Sequence, residues 1–315
     1  MPLGEFQLID RFFRACGADR DDVRLGVGDD GALLRTPPGD DLIAVSDTLV
    51  EGVHFPHGSD PRSIGHRALA VNLSDIAAMG GVPRWALLSL TLPAVDPAWL
   101  AAFAAGFGDL ANEHGVALVG GDTTRGPLTL GVQVLGSVAA GQGLRRSGAR
   151  PGDALFVSGR PGEAAAGLAS IMAQGLADLP AAERRVLEAR FLFPQPRVAL
   201  GQALLPLASA CIDLSDGLLG DLAKLAAASG CAALLEVDAL PRLAALDAVA
   251  SQPYALHGGD DYELLFTVPQ ARIAAVTALP DVTRVGEMRA GSGVTLLEDG
   301  RTRAAARAGF DHFAG

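Results

Sequence analysis

Aspartates collect in short turns that follow apolar, strand-like segments. Five such turns are flanked by Gly or Ser: GDDG at 28–31, SDT at 46–48, GGDTT at 120–124, DLSDG at 213–217 and GGDDYE at 258–263. Any one of them could be ordinary turn chemistry or a helix N-cap, because Asp-Gly and Ser-x-Asp sequences favour those structures. Their number favours loops that build a site at the ends of strands.

Asp75 falls on the apolar stripe of a predicted helix. Within 62–79, the residues Ile64, Ala68, Val71, Asp75 and Met79 recur every three or four positions, which places them on one face. Burying an ionised carboxylate is costly without a cation or hydrogen-bond donors. Asp75 is therefore either a helix-end residue that reaches solvent or a metal ligand.

The donor atoms in these turns favour a hard metal ion. Proteins usually hold Mg²⁺ through a few carboxylates together with substrate phosphates. The six histidines form no H-E-x-x-H motif, no EF-hand pattern is present, and the three cysteines, Cys16, Cys211 and Cys231, form no C-x-x-C pair. We therefore expect magnesium rather than zinc, copper or calcium, and no disulfide framework.

Phosphate is the usual companion of Mg²⁺, but the common glycine-rich cradle is missing. A P-loop needs a lysine, and the one lysine of the chain, Lys224, lies inside a predicted helix. The segment 158–167 follows a strand and opens a helix, so it is either an anion cradle or a plain turn. Arg125, Arg145 and Arg146 could bind phosphate oxygens, although single arginines of this kind are more often surface residues.

The composition is that of a large acidic globular protein. The chain has 315 residues, 49% of them hydrophobic, and a formal net charge of −11, which disfavours binding to nucleic acid or anionic lipid. Glu5 and Asp10 interrupt the apolar N-terminal stretch, so we expect no secretory signal. No run is apolar for long enough to span a bilayer. We expect a reduced, cytoplasmic setting.

Strand-like and helix-like segments alternate throughout, which predicts an α/β protein. Strands are expected over 23–34, 42–50 and 84–93, and helices over 5–16, 62–79 and near 181–205. The Gly- and Arg-rich segment 141–153 predicts a boundary between domains at 1–140 and 150–315.

The order of the motifs resembles the thiamine-monophosphate kinases, a family in the superfamily of aminoimidazole ribonucleotide synthetase. Nine motifs cover nearly the whole chain: GEF at 4–6, GVGDDGALL at 26–34, SDTLVEGVHF at 46–55, ALAVNLSDIAAMG at 68–80, LVGGDTTRGP at 118–127, RSGARPGD at 146–153, IDLSDGL at 212–218, GGDDYEL at 258–264 and GFDHF at 309–313.

This resemblance implies a two-domain α/β fold of the α+β type. The N-terminal sheet-and-helix domain is expected to dimerise and to carry metal and ATP loops, and the C-terminal α/β domain to cover the nucleotide and substrate. The implied reaction is the last step of thiamine diphosphate biosynthesis: direct, in-line transfer of the ATP γ-phosphate to thiamine monophosphate with several Mg²⁺ ions, in a homodimer.

The resemblance also assigns residues. The metal set comprises Asp30, Ser46, Asp47, Asp75, Asp122, Asp213 and Asp216, of which Asp47, Asp122 and Asp213 form the catalytic centre. ATP is expected at Gly121, Asp122, Arg146 and Ser215. Thiamine monophosphate is expected at His54, Asp260 and Phe310. Many family members have Thr where this chain has Ser46, and Glu where it has Asp260.

Phosphoryl transfer to a phosphate suits this residue set. A phosphate monoester has a second pKa of about 6 and is largely dianionic at neutral pH, so the acceptor needs no strong base. Catalysis then depends on alignment and charge neutralisation. Two alternatives stay open: a sister ATP-dependent synthetase of the superfamily, and a catalytically silent sensor that only binds Mg-ATP.

Overall fold

A computed structural model describes residues 4–241 and 252–305. The chain divides into two compact units: Met1–Ile76 with Gly81–Gly143, and Ala77–Gly80 with Leu144–Gly315. Both units combine helices with a sheet, which confirms the predicted two-domain α/β class. Within the described residues, no helix is both long enough and apolar enough to cross a membrane.

The first unit is a four-stranded sheet covered on one face by helices. Its elements are α1 (Glu5–Phe12), β1 (Val23–Leu25), β2 (Leu33–Leu34), β3 (Asp40–Val50), α2 (Pro61–Ala78), β4 (Val82–Leu92), α3 (Pro97–Glu113), β5 (Ala117–Arg125) and β6 (Thr129–Ala139). The strand order is β3-β6-β4-β5, and β1 pairs separately with β2. The strands β3–β6 and β4–β6 are antiparallel, whereas β4–β5 is parallel.

Side chains of this sheet alternate between a buried and an open face. On β6, Leu130, Val132 and Val134 are buried, whereas Gly131 and Gln133 between them are partly exposed. Because successive side chains point to opposite faces, the register assigns every neighbouring strand residue to a face. Apolar residues on alternate positions therefore face the helices.

Two predicted turns are strand interiors in the structure. Asp47 lies well inside β3, which confirms the strand expected over 42–50, and Asp122 lies inside β5; the turns expected at 46–48 and 120–124 were wrong. The open face of the sheet accepts polar residues such as Asp122 at alternate positions, which allows β5 to continue through the motif. The turn at 28–31 and the loops around 214–217 and 258–263 do lie outside helices and strands.

The second unit is built around a seven-stranded sheet. Its elements are β7 (Ala154–Ser158), α4 (Glu163–Ile171), α5 (Ala181–Leu192), α6 (Val198–Leu204), β8 (Ala210–Asp213), α7 (Leu218–Ser229), β9 (Ala232–Glu236), α8 (Gln252–His257), β10 (Leu264–Val268), α9 (Ile273–Thr277), β11 (Val282–Arg289), β12 (Gly293–Glu298) and β13 (Arg301–Ala304). The strand order is β13-β12-β9-β11-β7-β10-β8. All five residues of β7 and of β10 are buried, which explains why four of the five residues in each strand are apolar.

Helices α2 and α3 contact each other at glycines. A methyl group at Gly106 would lie 1.9 Å from the carbonyl oxygen of Arg62, and one at Gly65 would lie 2.1 Å from that of Phe103. The two helix backbones are therefore in direct contact, which fixes the position of α2 over the sheet.

Gly106→Ala is expected to lower the free energy of unfolding by about 1–3 kcal/mol, because the added methyl group forces the helices apart. Gly108→Ala is a matched control on the same helix, since its methyl group would lie an ordinary 3.4 Å from the Cys16 Sγ. The control should be neutral or slightly stabilising, because Ala is the better helix former. Denaturant unfolding measures both, and equal losses would contradict the glycine contact.

Candidate active site

A cavity of about 850 Å³ lies within the first unit. The turn at 28–31, strands β4, β5 and β6, and helix α1 contribute its walls, and the polar groups that line it include Asp30, Asp122, Ser89 and Gln133. The structure thus brings together Asp30, Gly121 and Asp122, which are far apart in the sequence.

Only glycine fits at Gly121 on the cavity wall. Its φ is +145°, and a methyl group there would lie 1.9 Å from the carbonyl oxygen of Leu88 on the neighbouring strand. The bare backbone lets β5 lie against β4 directly before Asp122. This packing is a physical reason for the Gly-Gly pair in the GGDTT motif.

A second pair of predicted residues meets where α2 lies over the sheet. The side chains of Asp47 on β3 and Asp75 on α2 are hydrogen-bonded to each other, and both are partly buried. Burial raises the pKa of the Asp47 carboxyl above its ordinary value, and the bond to Asp75 opposes that rise. Two carboxyl groups in contact need a proton or a cation between them.

Ser46 does not join this pair. It precedes Asp47 on the same strand and lies on the opposite, open face. There it accepts a hydrogen bond of 3.4 Å from the Gln133 Nε2, which lies beside the cavity. The structure therefore places Ser46 with the cavity face and Asp47 with the helix face.

The predicted metal ligands fit Mg²⁺ in their chemistry. In residues 4–241 and 252–305, no group of three or more His, Cys, Asp or Glu side chains is gathered closely enough to hold a metal ion. The Asp47–Asp75 pair, however, offers oxygen donors whose mutual repulsion a divalent cation relieves. Asp30 and Asp122 offer exposed carboxylates at the cavity.

His54 presents a defined tautomer. Its Nδ1 accepts a hydrogen bond of 3.0 Å from the Val50 N–H, in a turn that also pairs the His54 N–H with the Val50 carbonyl. Since Nδ1 is an acceptor, the neutral ring carries its proton on Nε2. His54 can therefore donate a hydrogen bond at neutral pH.

In the second unit, the loop after β8 is held by a residue that the sequence analysis missed. The Asp221 carboxylate accepts hydrogen bonds from the Ser215 and Asp216 N–H groups, both at 3.0 Å. Lys224 binds Asp221 at 2.8 Å and Asp216 at 2.5 Å. Burial raises the pKa of Asp221, and the ammonium of Lys224 opposes that rise. The predicted ligand Asp216 and the predicted ATP residue Ser215 are thus fixed by a short salt-bridge network, and the predicted ligand Asp213 is the last residue of β8.

The 258–263 loop is joined to the loop after β8 by backbone hydrogen bonds. The Asp260 N–H donates to the Ser215 carbonyl at 2.9 Å, and the Tyr262 N–H donates to the Leu214 carbonyl at 2.8 Å. A methyl group at Gly259 would lie 2.5 Å from the Ser215 carbonyl oxygen. The structure therefore brings Asp260 together with Ser215.

The suggested anion cradle at 158–167 is filled by the chain itself. The Asp261 carboxylate accepts hydrogen bonds from the Gly162 N–H at 2.7 Å and the Ala164 N–H at 3.2 Å, at the N-terminus of α4. Removal from water raises the pKa of Asp261 well above its ordinary value, although these two donors oppose the rise. The turn interpretation of this segment is the one that the structure supports.

Glu263 anchors the end of the same loop. It accepts two hydrogen bonds from Arg197, at 2.6 and 2.7 Å, and one from the Ser158 hydroxyl at 2.5 Å. A buried carboxylate with a bidentate arginine is a strong local anchor. The sequence signal was a charged residue at the start of an apolar strand, which by itself did not identify Arg197.

The remaining predicted residues have less defined surroundings. Arg146 is exposed in the segment before β7, and its carbonyl accepts a hydrogen bond of 3.0 Å from the Ser229 hydroxyl. Phe310 lies outside the described residues.

Asp47→Asn is expected to stabilise the metal-free protein, and more so at higher pH. A raised pKa means that Asp47 contributes stability below its unfolded pKa, and that this contribution is lost as the pH rises through the folded pKa. In EDTA, the thermal midpoint of Asp47→Asn should exceed that of wild type by more at about pH 8 than at about pH 5. Asp109→Asn, which removes an exposed carboxyl paired with Arg62, is the control. A difference in thermal midpoint that does not change with pH would contradict the proposed cost of ionising Asp47 in the folded, metal-free protein.

Comparison with known proteins gives matches that span both units. Models of the AIR synthase related protein family match residues 28–138 (N-terminal domain) and 150–298 (C-terminal domain). A thiamine-monophosphate kinase of Salmonella typhimurium is 45% identical over 324 residues, which cover 100% of this chain and 99% of that protein.

Solved structures agree with these matches. The crystal structure of thiamine-monophosphate kinase from Stenotrophomonas maltophilia has a TM-score of 0.86 and 44% identity, and the match covers 97% of this chain and 99% of that one. A relative solved in complex with AMPPCP and TMP has a TM-score of 0.80 and 30% identity, with 99% of each chain covered. The chain therefore belongs to the thiamine-monophosphate kinase family of the AIR synthase related proteins.

Proposed function

We propose that this chain transfers the γ-phosphoryl group of ATP directly to the phosphate of thiamine monophosphate, giving ADP and thiamine diphosphate. The observation that carries the proposal is the full-length similarity to thiamine-monophosphate kinases. The gathering of Asp30, Gly121 and Asp122 at one cavity and the Asp47–Asp75 pair support it.

The acceptor explains why the site can work without a strong base. The phosphate of a monoester is already ionised at neutral pH, so the protein need not remove a proton from it. The reaction instead requires two anions to approach in line. In this proposal the assigned aspartates hold the cations that neutralise those anions.

Mg²⁺ would be held by Asp30, Ser46, Asp47, Asp75 and Asp122 in the first unit and by Asp213 and Asp216 in the second. When bound, the ions neutralise the phosphate charges that develop during transfer. Asp47, Asp122 and Asp213 are the residues that we assign to the catalytic centre. The contact between Asp47 and Asp75 supports their sharing of a cation.

ATP is assigned to Gly121, Asp122, Arg146 and Ser215. Gly121 lies on the cavity wall directly before Asp122. The exposed Arg146 can bind phosphate oxygens in a bidentate manner. Ser215 is held in place by Asp221, which fixes the orientation of its backbone.

Thiamine monophosphate is assigned to His54, Asp260 and Phe310. The His54 Nε2–H can donate to the phosphate monoester. The carboxylate of Asp260 can accept from the aminopyrimidine or face the thiazolium cation, and an aromatic ring at Phe310 would add a cation–π contact.

We further propose that the first domain, within residues 1–140, forms a homodimer. The second domain, within residues 150–315, would contribute further residues that bind the nucleotide and the substrate. The open sheet face carries Leu42 and Val82, which are 52% and 41% exposed, and exposed apolar groups on a sheet favour a partner. The three free cysteines support the cytoplasmic location that we include in the proposal.

Incubation with Mg-ATP and thiamine monophosphate should yield thiamine diphosphate and ADP in equal amounts, as identified by mass spectrometry. Unphosphorylated thiamine should be a poor acceptor, because its alcohol lacks an ionised oxygen. Formation of no product while ATP binds would favour the silent sensor. A phosphorylated protein trapped with ATP alone would contradict direct transfer.

Asp47→Asn and Asp122→Asn should each lower kcat by orders of magnitude and leave the fold intact, because each removes charge from the site that neutralises the transferred group. Asp109→Asn is the control and should retain activity. If either variant keeps more than about a tenth of wild-type kcat at saturating Mg²⁺, a cost below roughly 1.4 kcal/mol, that residue is not a direct metal ligand.

A further inference from the structure

The backbone around Asp260 has an unusual conformation. Asp260 has a φ of +69° and Tyr262 a φ of +51°, both in the left-handed region that side chains with a Cβ disfavour. Residues held in this region tend to occur at functional sites, where the surrounding structure maintains them. Here two such residues flank Asp261.

Interactions on both sides hold this conformation in place. The N–H groups of Asp260 and Tyr262 donate to Ser215 and Leu214, and the Asp261 carboxylate binds the first turn of α4. The backbone of the loop is therefore fixed by interactions that do not use the Asp260 side chain.

The Asp260 side chain has a partner of its own. The Tyr262 hydroxyl donates a hydrogen bond of 3.2 Å to the Asp260 Oδ1. Tyr262 is a buried residue, only 8% exposed, so packing restrains the position of its hydroxyl. A fixed donor of this kind selects one rotamer of Asp260.

We propose that Tyr262 is a positioning residue that aims the Asp260 carboxylate at the thiamine part of the substrate. This inference rests on the proposed function, in which Asp260 contacts the aminopyrimidine or the thiazolium cation. Without the phenol, Asp260 would lose a hydrogen bond that favours this rotamer, and the affinity for the substrate would fall.

The chain offers a matched pair of variants for the test. Tyr262→Phe removes one hydroxyl and keeps the buried ring. Tyr254→Phe removes the hydroxyl of the other tyrosine, whose ring packs against the cluster around Leu187. Asp260→Ala removes the aimed carboxylate, and the double variant Tyr262→Phe with Asp260→Ala closes a thermodynamic cycle.

Tyr262→Phe should raise the KM and the calorimetric Kd for thiamine monophosphate by about three- to tenfold, the usual effect of one lost hydrogen bond. The KM for ATP should stay within about twofold and the thermal midpoint within about 2 °C, because the buried ring is kept. Asp260→Ala should weaken thiamine monophosphate binding by about five- to hundredfold. The double variant should bind no more weakly than Asp260→Ala, and Tyr254→Phe should match wild type.

The cycle separates this inference from the proposed function. If Asp260→Ala weakens binding and Tyr262→Phe does not, or if their effects multiply, Tyr262 does not act through Asp260. If Tyr262→Phe raises both KM values equally, or only lowers the thermal midpoint, its role is structural and the inference fails. If Asp260→Ala leaves the binding of thiamine monophosphate unchanged, the assigned substrate contact fails, and the inference fails with it.

Discussion

The electrostatic cost of bringing carboxylates together is the constraint on which this structure depends. Asp47 and Asp75 come from a strand and a helix and meet partly out of water, where like charges repel strongly. The sheet register places Asp47 on the helix-covered face, and the glycine contacts between α2 and α3 hold the helix that carries Asp75. The fold thus maintains a contact that is unfavourable until a cation or a proton joins it.

In the second unit, several carboxylates are paired with groups of the chain itself. Asp221 is paired with Lys224, Glu263 with Arg197, and Asp261 with the N–H groups at the start of α4. Each of these carboxylates is compensated by a group of the chain itself, and each fixes a loop that carries assigned residues. These carboxylates hold the scaffold, and the contact between Asp47 and Asp75 is the feature that supports a shared cation in the first unit.

Part of this arrangement could be predicted from the sequence. The sequence predicted α2 closely, over 62–79 against the observed Pro61–Ala78, because Asp60-Pro61 and Gly80-Gly81 are local signals for its start and its end. The motif order led to the family. The opposite faces of Ser46 and Asp47 follow from strand alternation, because both residues lie in the strand expected over 42–50 and observed as β3.

Other features depend on contacts between distant residues. Nothing local to Asp261 indicates that it caps α4, about a hundred residues earlier in the chain, and the bond between Glu263 and Arg197 is equally non-local. Asp221 had a local signal, since it lies a few residues after the loop it binds, in the first turn of α7. The type of a residue predicts which chemical groups its side chain can bind. Only the fold determines whether such a group belongs to a ligand or to another part of the chain.

The most direct test of the account is the number of protons released when Mg²⁺ binds. Metal binding displaces protons from the ligands of the metal. Calorimetric titration in two buffers of different ionisation enthalpy, between about pH 5 and 7, measures the number of protons released by the wild type and by Asp47→Asn. The account predicts proton release by the wild type that falls markedly in Asp47→Asn. Mg²⁺ binding that releases no protons, or releases the same number in both proteins, would contradict it.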